Sequence, residues 1–154
     1  MRARWLPVGI LALVLFAVNV ASRLVVRLAF DGGAVAENRA SLVMFAVIAT
    51  VLGVLAFVRA RREPVARWLG DLSVAAGVAL VLTLFVGPFV SGGTPFGSGA
   101  GDFFNQIWLY AGFAGAGMLI GYLLVTALGL DYRSQGLKRY AEARMTRPRR
   151  IVRR

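Results

Sequence analysis

Four apolar stretches, each uncharged over most of its length, divide the chain, and short segments rich in Gly, Ser, Asp or Arg separate them. The first covers residues 5–22 and, at ~1.5 Å of helical rise per residue, reaches about 27 Å, close to the thickness of a bilayer's hydrocarbon core. Residues 41–58 make a second stretch of the same reach. Residues 68–90 make a third, with one acid, Asp71, near its start. The fourth, residues 103–130, carries no charge. At about 42 Å it exceeds the hydrocarbon core, so it must tilt or begin in the interface. Pro88 after Gly87 predicts that the third helix kinks or stops there, because proline removes an amide donor and clashes with the preceding turn.

The pattern therefore predicts helices over about 5–30, 41–60, 66–90 and 103–130. The fold class is an all-α integral membrane protein, a four-transmembrane-helix bundle in residues 1–130 followed by a basic tail over residues 131–154. Arg2 and Arg4 also suit the start of a cleavable leader, but a cut after Ala21 would put Asn19 where a small residue is needed, so an uncleaved helix is expected. In the tail, Leu137, Tyr140, Ala141 and Met145 recur at helical spacing among Arg133, Lys138, Arg139 and Arg144, which predicts a short juxtamembrane amphipathic helix. Pro148 ends it, and Arg147, Arg149, Arg150, Arg153 and Arg154 surround that break. Each basic residue near an anionic leaflet contributes about 1 kcal/mol, so the tail is expected to lie on the membrane.

Charge then orients the bundle. With the N-terminus inside, Arg2 and Arg4, the group Arg59, Arg61, Arg62 and Arg67, and the tail place fifteen of the 18 basic residues on the cytoplasmic side, leaving Arg23, Arg27 and Arg39 outside. The positive-inside rule accordingly predicts N-in/C-in topology. Trp5 and Trp68 are expected to anchor the inner interface, and Trp108 and Tyr110 the outer one.

Composition supports the lipid setting: 58% of residues are hydrophobic and 16% charged, at a mean hydropathy of +0.71, too oily for a soluble domain of this length. The net charge of +11 would suit nucleic acid in a soluble chain, yet the cations flank apolar stretches and no aromatic platform accompanies them, so membrane lipid, especially anionic lipid, is the expected partner. With no Cys and no His, thiolate nucleophiles, Cys-ligated zinc or iron-sulfur clusters and histidine-ligated haem are excluded. Neither a metal site nor a cofactor is expected. One Lys beside seventeen Arg, with abundant Ala, Val, Leu and Gly, points to a bacterial genome of high GC content and hence to a bacterial inner membrane.

Two residue sets could carry function. Asn19, Arg23, Arg27 and Asp31 follow at intervals of four and so share one helix face. Asp102, Asn105 and Gln106 enter from the same side on the fourth helix. Together they would form an outer-leaflet polar pocket gripping a phosphate or carboxylate through paired guanidinium hydrogen bonds; the alternative is that Arg23 and Arg27 snorkel to ordinary lipid phosphates. The second set is smooth: Gly112, Gly115, Gly117 and Gly121 on the fourth helix, with Ser73 and Gly77 on the third, invite close helix packing within the chain or in a homo-oligomer. Asp71, four residues after Arg67, is expected to form an intrahelical ion pair with it. Gly97, Gly99 and Gly101 read as a turn, since no Lys-Ser/Thr follows them as in a phosphate-binding loop.

No catalytic constellation emerges, and an enzyme is not expected. Small multidrug exporters have this size but hold a membrane-embedded Glu in their first helix, where this chain has only Asn19. Two functions are compatible with these features. One is a non-catalytic membrane subunit or scaffold of a cell-envelope assembly, joined to other membrane proteins. The other is a small transporter or lipid-handling protein binding an anionic headgroup at the outer leaflet.

Overall fold

The structure, a computed structural model, describes residues 2–29, 34–90, 92–94, 96–97 and 99–145. Among the described residues all regular structure is helical: α1 (Arg2–Ala29), α2 (Ala34–Ala60), α3 (Val65–Phe85), α4 (Gly87–Val90), α5 (Ala100–Ala127) and α6 (Tyr132–Met145). α1, α2, α3 and α5 are each long and apolar enough to cross a membrane, which makes the chain a multi-pass helical membrane protein. Only helices and closed barrels satisfy every backbone amide in hydrocarbon, so the long uninterrupted spans are what lipid demands. The third span breaks where expected: Val86 interrupts the helix, and α4 restarts as a single turn containing Pro88.

Each span turns one seam inward. α2 buries Phe45, Ile48, Leu52 and Ala56, α3 buries Trp68, Leu72, Ala75, Ala79 and Thr83, and α1 buries Val8, Ala12, Leu15 and Asn19. Tyr110, Ala114, Gly117, Gly121 and Val125 form the buried line of α5. Steps of three and four residues keep each line on one face. α2 packs most extensively on α5, α1 packs on α3 and α2, and α1 and α5 take opposite corners.

The α2–α5 contact is backbone against backbone. A side-chain carbon added at Gly117 would lie 2.7 Å from Ala49 Cα, and one at Gly121 would lie 3.0 Å from Gly53 Cα. Gly53 is equally confined, since a carbon there would meet Gly117 O at 2.9 Å. Apolar side chains gain little by leaving lipid for a helix interface, so close approach and the dispersion contacts it allows carry the association.

Several expected placements are corrected. Gly112 and Gly115 are exposed with open space above them, because steps of five and two residues from Gly117 turn them to the far side of α5. Ser73 and Gly77 likewise face outward on α3, and the partner of the Gly117–Gly121 pair is the Ala49–Gly53 pair of α2. Trp68 and Tyr110 are core residues at 2% and 1% exposure, whereas Trp5 and Trp108 are open at 58% and 76%. Trp68 packs on Tyr122 with ring centroids 5.8 Å apart, and Tyr110 meets Phe45 edge-on at 6.4 Å. Their place on the inward seams overrides the interfacial preference of their ring type.

Gly121→Ala should destabilise the bundle by about 1–3 kcal/mol, the usual cost of forcing atoms into a filled core. Gly112→Ala, in open space, should leave it unchanged or slightly firmer. Thermal unfolding in mild detergent, followed by circular dichroism, separates the two, and equal melting temperatures would contradict the packing described.

Candidate functional site

Polar side chains gather at the two ends of the bundle. At the end where α1 meets α4, Asn19 is 1% exposed. Its Nδ2 donates to Met44 Sδ at 2.9 Å, and its Oδ1 accepts from Arg23 Nε at 3.0 Å. Gly87 lies directly against this pair: an added carbon there would stand 3.2 Å from both Arg23 Nε and Asn19 Oδ1. The break ahead of Pro88 thus puts a residue without a side chain where a half-buried guanidinium must fit. A few residues away, Ser22 Oγ donates to Ala40 O at 3.2 Å and ties α1 to α2.

The structure joins only part of the polar set expected here. Asn19 and Arg23 meet, with Met44 and Gly87 as further members. Asp102 and Asn105 are exposed and Gln106 half-buried, on the first turns of α5, at the corner opposite α1. Asp31 lies outside the described residues, as does the side chain of Arg27. The Nε of Arg23 donates to a neighbour in its own helix. Met44 escaped sequence reading because a thioether acceptor in an apolar run gives no polar signal, while Gly87 was marked only as the neighbour of a proline.

At the opposite, basic end, Arg59 Nη1 stands 3.6 Å from Asp71 Oδ2. The ion pair described for Asp71 therefore bridges α2 to α3, where one with Arg67 inside α3 was expected. The α5–α6 corner is fixed by its own backbone. Gly129 takes φ 61°, and Leu130 N donates to Val125 O at 3.0 Å while Gly129 N donates to Thr126 O at 2.9 Å, the paired bonds of a Schellman ending. Two residues on, Asp131 caps α6: its Oδ2 accepts from Ser134 N at 3.2 Å. Hydrogen bonds from the hydroxyl and amide of Ser134 hold the Asp131 carboxyl below its ordinary range. Gln135 Nε2 donates to Leu130 O at 2.6 Å and reaches Arg61 O at 3.5 Å, which brings the first turn of α6 beside the turn that follows α2.

α6 covers the expected residues, but its faces are poorly separated. Arg133 and Arg144 stand four residues before and seven after Leu137, on the same side as Tyr140 and Leu137, and Arg144 lies 5.7 Å from the Tyr140 ring centre. All of Tyr140, Ala141 and Met145 are exposed. Of the basic tail, Arg133, Lys138, Arg139 and Arg144 belong to α6, whereas Arg147, Arg149, Arg150, Arg153 and Arg154 lie outside the described residues.

Apolar spans held together by close packing, with polar groups confined to their ends, define the class: a multi-pass helical membrane protein. Within that class the comparisons assign nothing narrower, since no protein-family model, curated protein or solved structure matches the chain.

Two outcomes are expected. Asn19→Leu removes a charge-assisted hydrogen bond to Arg23 and should lower bundle stability by about 1.5–3 kcal/mol; an unchanged melting temperature would show that the contact does not hold α1. For α6, the Asp131 cap is fully present above the ordinary carboxyl range and is lost as pH falls through the lowered value. NMR shifts of residues 132–136 should therefore lose helical character in acid, and Asp131→Asn, which caps without titrating, should abolish that dependence.

Proposed function

We infer that the protein is a non-catalytic membrane subunit that helps assemble a cell-envelope complex, inserted with both termini in the cytoplasm of a bacterial inner membrane. One observation carries this reading. α5 has two smooth faces; Gly117 and Gly121 are consumed within the chain, while a side-chain carbon added at Gly112 or Gly115 would meet nothing within 4 Å. Ala111 and Ala116 are exposed beside them. A second helix can approach that face as closely as α2 approaches the first one, with the same gain in dispersion contacts. The division of basic residues supports the orientation, and it sets the Arg-rich α6 where a cytoplasmic partner or an anionic leaflet can reach it. The rival outer-leaflet headgroup site has less support, because Arg23 is engaged by Asn19 against Gly87.

The test is affinity purification of the tagged full chain in mild detergent, with mass spectrometry of stoichiometric partners. Replacing Gly112 and Gly115 together by Leu should remove the partner and leave the thermal melt of the bundle unchanged. Partners retained by that double variant would sink the reading. Recovery of a second copy of the chain alone would replace it with a homo-oligomer.

A further inference from the structure

The basic end contains a cavity of about 700 Å³ between the α2–α3 turn and the α5–α6 corner. Its lining residues include four arginines, Arg61, Arg62, Arg133 and Arg139, and two acids, Glu63 and Asp131. Among the described residues none of these four guanidinium groups forms an ion pair. Each acid also has one carboxylate oxygen without a donor. Glu63 Oε2 and Asp131 Oδ1 are buried and receive no hydrogen bond from the protein, and Asp131 as a residue is only 7% exposed. A buried acceptor left without a donor is unfavourable, so an occupant that brings hydrogen-bond donors as well as an anionic group suits this lining.

The position says what kind of molecule that is. The cavity lies at the ends of membrane-crossing helices, in the zone of lipid headgroups, and apolar Ala60, Val65 and Tyr122 share its wall. Basic pockets between spanning helices suit lipid phosphates, and the planar fork of arginine matches phosphate oxygens in pairs. Four cations against two carboxylates leave the lining with a net positive charge, which a phosphodiester lowers and an added ammonium would raise. The two donor-less carboxylate oxygens call for hydroxyl groups. The Gly129 ending and the Gln135 contacts set the start of α6 beside the α2–α3 turn.

We propose that this cavity binds the headgroup of an anionic glycerophospholipid bearing free hydroxyls, of the phosphatidylglycerol type: the arginines take the phosphate, and Glu63 and Asp131 accept from the hydroxyls. The site is separate from the outward glycine face of α5, so either assignment can fail alone.

The experiment titrates the detergent-solubilised full chain with short-chain phosphatidylglycerol, phosphatidate and phosphatidylethanolamine of equal acyl length, and with inorganic phosphate and glycerol 3-phosphate, reading bound species by native mass spectrometry. Phosphatidylglycerol should bind about tenfold more tightly than each of the others, the equivalent of one net charge-assisted hydrogen bond. Arg133→Gln combined with Arg139→Gln should weaken it by about tenfold or more, whereas Arg144→Gln, on the same helix but outside the cavity lining, should not. Glu63→Ala provides the second arm: it should erase the preference for phosphatidylglycerol over phosphatidate without reducing phosphatidate binding. Equal binding of all three lipids, or indifference to the Arg133 and Arg139 changes, would overturn the site. Inorganic phosphate or glycerol 3-phosphate binding as tightly as the lipid would overturn its assignment to lipid and make it a free-anion site.

Discussion

Helices already dissolved in hydrocarbon do not associate because leucine avoids water, so their attraction must come from how closely their backbones approach. In this bundle that constraint falls on the crossing of α2 and α5, where Ala49 and Gly53 face Gly117 and Gly121 with no room for another carbon. The rest of the bundle inherits its geometry from this crossing. It sets the register that stacks Phe45 on Phe113 at 5.6 Å and brings Tyr110 edge-on to Phe45. It also fixes where α5 ends relative to the α2–α3 turn, and therefore where Gly129 turns the chain and where α6 comes to rest.

The two ends of the bundle handle charge in opposite ways. At one end a half-buried arginine folds onto a buried asparagine beside a glycine, so a group that would be costly at the hydrocarbon edge becomes a bond within the protein. At the other, Arg59 and Asp71 clamp α2 to α3, while the Arg61 guanidinium carbon stands 5.9 Å from the centre of the Phe57 ring. The first arrangement folds its cation back onto its own helix; the second joins one cation to an acid across two helices and leaves others exposed at that end.

The parts legible in sequence were those governed by one-dimensional rules. Span lengths follow from hydrophobic runs, and the break before Pro88 follows from a missing amide. The Gly117–Gly121 spacing also reads correctly as a packing motif, because a four-residue step stays on one face. Its partner does not: Ala49-x-x-x-Gly53 sits in a run with equally suitable small residues elsewhere, and only the choice of neighbouring helices selects it. The expected polar set was only partly brought together, for the same reason. Asn19 and Arg23 share a face with Arg27 and Asp31 by periodicity alone, but meeting Asn105 and Gln106 required α1 beside α5, and the bundle places them at opposite corners. Trp68 and Tyr110 were misplaced because interfacial preference is a property of residue type, whereas burial belongs to the seam.

α6 shows how local signals build a feature that composition hides. Helical spacing predicts a short juxtamembrane helix here, and cations near a bilayer without further contacts act as diffuse charge. Here Gly129 ends α5 in the left-handed conformation, Asp131 two residues later starts α6, and Gln135 reaches back to Leu130 O and Arg61 O. Those contacts convert the first turns of the tail into a wall of fixed orientation. Arg133 and Arg139 then line one concave surface together with Arg61 and Arg62 from the other side of the bundle, although more than seventy residues separate the two pairs in sequence. Arginines carried on a helix present their charges at set intervals, which an irregular basic segment does not. The distinction rests on a glycine, an aspartate and a glutamine, not on the number of arginines.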